Sequence, residues 1–213
     1  MERKNMIVVV DYGRGNIFSL SHALSHIGVD HRVSKASKDV DRAKLIVLPG
    51  VGAFGDAMSA LKDLHLINPI REAAKRNIPL LGICLGMQIL ASKSEEFGDN
   101  DGLDIIPGEV RALPPPNPNI SNHVRIPNVG WRNINVSIND PLLNKLPDNK
   151  VSYFVHSYGF FPDSKDSIVA TTHVNGIDVP SIVRKGNIVG CQFHPEKSGD
   201  LGLELLKNFF LNL

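Results

Sequence analysis

The sequence predicts an α/β fold in a single domain over residues 1–213, with a central, mostly parallel sheet flanked by helices and an antiparallel extension. Three observations carry that expectation. In the first half, short runs that are apolar throughout alternate with helical patterns, as a parallel sheet covered on both faces requires. In the second half, strand-like runs follow one another and a single helical pattern closes the chain. The length suits one good-sized core, and no repeat or linker divides it.

Residues 6–11 read as the first strand. A helix follows over 16–27, with Leu20, Ala23, Leu24 and Ile27 on one stripe. A short strand lies near 30–34, and the all-apolar run 45–48 is the next. Residues 55–64 and 66–76 read as helices, and 79–83 as another apolar strand. The later strand-like runs are 107–111, 130–136, 151–156, 167–173, 181–183 and 188–193, with a helix over 200–211. The stretch Leu113-Pro-Pro-Pro-Asn-Pro-Asn119 is a loop, because consecutive prolines feed neither a helix nor a central strand.

Lys and Arg number 23 and Asp and Glu 22, a net charge of +1. That balance gives no broad electrostatic grip on nucleic acid or an anionic membrane, so neither is expected as a partner. The apolar run 6–10 stops at Asp11, too short for a signal core. The longest mostly apolar stretch, 78–91, falls short of a membrane span and contains Gln88. Two cysteines, Cys84 and Cys191, are too few for a disulfide framework, and a reducing cytoplasm suits an active thiol. His22 and His26 have a metal-capable spacing, but no third ligand is evident and no metal is expected.

The chemistry is concentrated in Gly82-Ile-Cys84-Leu-Gly86. This is the nucleophile-elbow spacing with sulfur in place of hydroxyl, at a strand end that turns at once into a helix. Glycines are needed where side chains flanking so sharp a turn would clash. The helix N-terminus favours thiolate. A reactive cysteine needs a base, and Gly190-Cys-Gln-Phe-His194-Pro-Glu196 offers one. In an extended segment His194 and Glu196 share a face, so the carboxylate can orient the imidazole. Cys191 is expected to be a structural thiol.

Gly50-Val-Gly52-Ala-Phe-Gly55 matches a dinucleotide fingerprint literally. That reading also requires an acidic residue near the end of the next strand. Cys84 stands there instead, so no nicotinamide cofactor, and no other, is expected. The loop has a better use beside the thiol. Its glycines let the backbone amides of Gly50, Val51 and Gly52 turn toward a developing oxyanion, with Leu85 as a second donor.

Gly82-Ile-Cys84-Leu-Gly86-Met-Gln88 and His194-Pro-Glu196 together resemble the two signatures of the class I (triad) glutamine amidotransferases. The resemblance extends through Asp11-Tyr-Gly-Arg-Gly-Asn16, Leu48-Pro-Gly-Val-Gly-Ala-Phe-Gly55, Ser94-Glu-Glu96, Tyr153-Phe-Val-His-Ser-Tyr158 and Phe193-His-Pro-Glu-Lys-Ser198. It implies a flavodoxin-like fold and hydrolysis of glutamine to glutamate and ammonia. It also implies a heterodimer in which ammonia is channelled to a (β/α)₈ barrel cyclase. By that resemblance Cys84 is the nucleophile, His194 the acid and base, and Glu196 its orienter. Gln88 and Glu96 hold the ends of the substrate glutamine, and His156, Ser157 and Tyr158 line the same pocket. Asn16, Asn128, Trp131 and Lys197 fall on the side that faces the cyclase. One segment departs from the family pattern. Where Pro-His-Met-Gly-Trp-Asn is usual, this chain has Pro127-Asn-Val-Gly-Trp-Arg132. Related amidotransferases deliver ammonia to other acceptors, including surface-polysaccharide sugars, and this segment bears on that choice; a thiol hydrolase on a related α/β fold is the other alternative.

Overall fold

The computed structural model describes residues 6–116, 118 and 123–211. Asn117 and Asn119 of the proline-rich stretch lie outside the described residues. In chain order the elements begin with β1 (Ile7–Val10), α1 (Ile17–His26), β2 (Arg32–Ser34), α2 (Ser37–Asp41) and β3 (Leu45–Gly50). Next come α3 (Phe54–Asp63), α4 (Ile67–Lys75), β4 (Leu80–Cys84) and the single turn α5 (Leu85–Gln88). The middle of the chain is β5 (Lys93–Ser94), β6 (Asn100–Asp101), β7 (Gly108–Ala112), β8 (Asn128–Asn133) and β9 (Asn135–Val136). It ends with β10 (Val151–His156), β11 (Tyr158–Pro162), β12 (Ile168–Val174), β13 (Ile177–Lys185), β14 (Ile188–Cys191) and α6 (Gly199–Leu211).

The main sheet has the order β2-β1-β3-β4-β14-β13-β12-β9. The strands from β2 to β14 are mutually parallel, and β13, β12 and β9 add antiparallel pairs, which is the predicted extension. Strand residues alternate between two cores. Val8, Ile46 and Leu80 pack with Leu61 and Ile70 on one face. Val9, Val47 and Leu81 pack with Leu20, Leu24, Leu205 and Phe209 on the other. Burial on both faces is why these strands are apolar at every position.

Several elements differ from expectation. The polar five-residue α2, the two-residue β5 and β6, and β11 carry no periodic signal long enough to read. The expected strand 130–136 breaks at Ile134, so β8 pairs with β10 while β9 joins the main sheet. β13 is far longer than 181–183 and contains Pro180. The β12–β13 register is irregular between Ala170 and Thr171, beside the Thr171–Pro180 pair. Proline is tolerated at such a bulge. The helix after Cys84 is only one turn long, so little macrodipole stands behind the thiol. Any polarity there comes from the free amides of that turn.

Candidate active site

β4 ends on Cys84 with φ 55° and ψ −111°, a strained conformation for a side-chain-bearing residue. The turn that holds it is crowded by backbone. A Cβ on Gly86 would overlap the Leu48 carbonyl oxygen of β3, and one on Gly82 would sit 2.6 Å from the Gly86 oxygen. The glycine requirement inferred from the G-x-C-x-G spacing is therefore steric, with β3 closing one side.

β14 lies beside β4 in parallel register, with Cys191 opposite Ile83. The chain leaving β14 passes the thiol. The Gln192 side chain, buried completely, donates from Nε2 to Cys84 Sγ at 3.7 Å. His194 follows, held by its amide on the Tyr153 carbonyl and by the Ser198 hydroxyl on its own carbonyl. His194 itself is extended, but Pro195–Lys197 is a 3₁₀ turn rather than continued strand. The turn still brings Glu196 Oε1 to 2.9 Å from His194 Nδ1, with side chains 3% and 2% exposed. The Nδ1 proton is thus donated to the carboxylate. The buried Nε2 has no hydrogen-bond partner among the described residues and is left available to the thiol. Burial alone would lower the His194 pKa, but Cys84 and Glu196 outweigh it and the pKa is raised.

Cys84, His194, Val51, Gly52, Leu85, Gln88, Glu96, His156, Ser157 and Tyr158 line one cleft of about 220 Å³. That lies below the roughly 300–1,000 Å³ of drug-sized ligand sites and suits a single amino acid. Gly50 sits behind the wall of this cleft, paired with Cys84 across β3 and β4. Gln88 Nε2 donates to the Tyr158 carbonyl and to Gln192 Oε1, so its remaining acceptor, Oε1, is the atom left for a ligand. Glu96 is not a loose surface charge. Its Oε2 accepts from the Phe54 amide at the start of α3, and burial raises its pKa. The Val51 amide is donated to the Arg14 carbonyl at 2.7 Å, so it does not serve the thiol in this conformation.

The expected partner-facing residues divide. Trp131 is 53% exposed, edge-on to Tyr153, and Lys197 is exposed. Asn16 is partly exposed and caps α1 through the Ser19 amide. Asn128, expected on the side that faces the cyclase, corrects that expectation. It is fully buried, bonded to His156 Nε2 and Arg132, because β8 turns that side chain inward opposite His156. Sequence reading missed Gln192 and Ser198, whose importance lies only in what they touch. Among the described residues no cluster of three or more potential metal ligands occurs, and no helix is long and apolar enough to cross a membrane.

Two expectations follow here. Cys191 is fully buried, its sulfur 3.8 Å from the Gly82 carbonyl, and burial pushes its pKa up. Cys191→Ala should keep glutamine turnover within about threefold of wild type in steady-state assays, as expected for a thiol with no chemical role; complete loss would make Cys191 the essential thiol. His156 is buried, and burial first, then the charges of His194 and Arg132, lower its pKa to about 4 against an ordinary 6.5. The unfolded chain therefore binds the proton first as pH falls. Stability present above pH 6.5 is lost toward pH 4, by up to about 1.4 kcal/mol per unit. Urea midpoints at pH 6.5 and 5 should show that loss, and His156→Gln should flatten it.

The sequence matches the family model Glutamine amidotransferase class-I over residues 8–213. It is 43% identical over 204 residues to Imidazole glycerol phosphate synthase subunit HisH of Bacillus cytotoxicus, covering 96% of this chain and 93% of that protein. The Bacillus cereus protein of the same name is 44% identical with the same coverage. Among solved structures, PurLQS from Thermotoga maritima shares the fold at a TM-score of 0.73, with 23% identity and 98% of both chains covered. An elbow cysteine, a carboxylate-backed histidine and a family match across nearly the whole length agree: the chain belongs to the class I glutamine amidotransferases.

Proposed function

We infer that the protein is the glutaminase subunit of an imidazole glycerol phosphate synthase, acting in histidine biosynthesis as one amidotransferase domain in the cytoplasm. The observation that carries the chemistry is the single cleft shared by Cys84, His194 and a glutamine-sized space, with Glu196 behind the imidazole. The near full-length likeness to HisH subunits supports the partner, a (β/α)₈ cyclase.

His194 takes the Cys84 proton, and the thiolate attacks the side-chain amide carbon of glutamine, forming a C–S bond. The imidazolium then protonates the departing nitrogen, which leaves as ammonia for the cyclase. A water, deprotonated by the same imidazole, cleaves the γ-glutamyl thioester to glutamate and restores the thiol. Gln88 Oε1 and the Glu96 carboxylate suit the α-ammonium group. Ser157 and Tyr158 suit the opposite end of the substrate. The Leu85 amide, from a residue that lines the cleft beside Cys84, suits the oxyanion. Val51 joins it only once its peptide turns away from Arg14, and each such donor contributes about 3–4 kcal/mol in the transition state. That geometry predicts low activity in the isolated subunit and activation when the cyclase binds.

Ammonia release from glutamine, measured with and without the cyclase and its nucleotide ligand, tests the reading. Strong stimulation by that cyclase is expected. Turnover that ignores the cyclase but follows another co-purified partner would transfer the subunit to a different acceptor, the second reading.

A further inference from the structure

We propose that Arg132 is a positioning residue for the nucleophile, because it braces the outer end of a hydrogen-bond relay that is pinned at the Tyr158 carbonyl and ends on the Cys84 sulfur. The inference rests on Cys84 being the glutaminase nucleophile. It adds a role for a residue at which this chain departs from its family.

The relay is continuous. Arg132 Nε donates to Asn128 Oδ1 at 2.9 Å, and Asn128 Nδ2 meets His156 Nε2 at 2.9 Å. His156 Nδ1 meets the Tyr158 carbonyl at 2.8 Å. The same carbonyl accepts from Gln88 Nε2 at 2.9 Å. Gln88 Nε2 also donates to Gln192 Oε1 at 3.0 Å, and Gln192 Nε2 reaches Cys84 Sγ at 3.7 Å.

Each link constrains the next. A guanidinium has only donors, so the Asn128 atom facing it must be oxygen. The Asn128 amide nitrogen then faces His156 Nε2, which must be an acceptor. The imidazole proton is therefore on Nδ1, where it is donated to Tyr158. That carbonyl also fixes Gln88 as donor. Gln88 in turn forces Gln192 to present its oxygen to Gln88 and its N–H to sulfur. Such an N–H stabilises a thiolate and holds its rotamer.

Arg132 is one anchor of this order and the Tyr158 carbonyl is the other. Its Nη1 and Nη2 are tied to the Trp131 and Val129 carbonyls of its own strand, which hold Nε in place. Without that donor only the His156 tautomer, held through Tyr158, opposes a half-turn of the Asn128 amide. Its oxygen would then select the other His156 tautomer. The bare Nδ1 would face the Tyr158 oxygen, lone pair against lone pair, and displace the carbonyl that Gln88 needs.

The test uses the full chain with saturating cyclase and glutamine, comparing Arg132→Leu, Arg132→Lys, Gln192→Leu and the double leucine variant. Arg132→Leu should lower kcat about tenfold and Gln192→Leu about fiftyfold, with KM changed less than kcat. Because both act through one relay, the double variant should be no slower than Gln192→Leu alone. Arg132→Lys keeps a donor and should restore most of kcat. Nitrogen-15 histidine NMR of the full chain should show His156 protonated on Nδ1 in wild type and not uniquely so in Arg132→Leu. Losses that multiply in the double variant, or a His156 tautomer unmoved by Arg132→Leu, would overturn the relay. Those results leave the glutaminase reading intact, whereas a wild-type complex that releases no ammonia sinks the reading itself.

Discussion

Cys84→Ala should lower glutamine hydrolysis by on the order of 10⁵-fold, because removal of a nucleophile leaves only binding and oxyanion contacts to act. The geometry makes this more than a family expectation. The sulfur shares its cleft with His194, whose Nε2 has no other partner, and it receives the Gln192 N–H. Cys191 cannot substitute, since it is fully buried on β14. Folding should survive. Alanine adopts the φ of 55° no worse than cysteine, and the lost volume is small. Thermal unfolding within a few degrees of wild type and unchanged cyclase binding would show that chemistry alone was lost. Measurable turnover in the alanine variant would remove Cys84 from the mechanism.

Gly86→Ala should destabilise the fold by more than about 4 kcal/mol, the range reserved for changes with no route of relief. The added methyl would overlap a backbone oxygen of Leu48, and no rotamer moves a Cβ. Either β3 separates from the elbow or the turn opens, and both dismantle the sheet beside the thiol. Urea unfolding and soluble yield read the effect. Gly28→Ala is the control. Nothing lies near its Cβ, but its φ is +78°, so it should cost only about 1–2 kcal/mol. A Gly86→Ala protein as stable as wild type would mean the elbow is looser than drawn.

The chemistry of the site was legible in sequence because its residues carry local signals. Gly82 and Gly86 around Cys84 are demanded by a turn a few residues long, and His194 and Glu196 lie two residues apart. The parallel strands were legible because burial on two faces leaves no polar position in β3 or β4. What stayed hidden depends on distant pairing. Gln192 looks like any glutamine until β14 is laid beside β4. By resemblance Asn128 falls on the partner-facing side, and only the pairing of its strand with β10, at His156, turns it inward. The Val51 amide was placed with the oxyanion donors, and its bond to the Arg14 carbonyl joins two loops that no sequence pattern connects.

The place of β14 in the sheet has a consequence for how the enzyme comes into being. Among the described residues it is the last strand in chain order, yet it inserts within the sheet, between β4 and β13. Pairings of such long sequence separation close late and slowly. The thiol therefore gains its base only after β14, far along the chain from β4, has been made and paired. A chain in which β14 has not paired carries the cysteine without its imidazole.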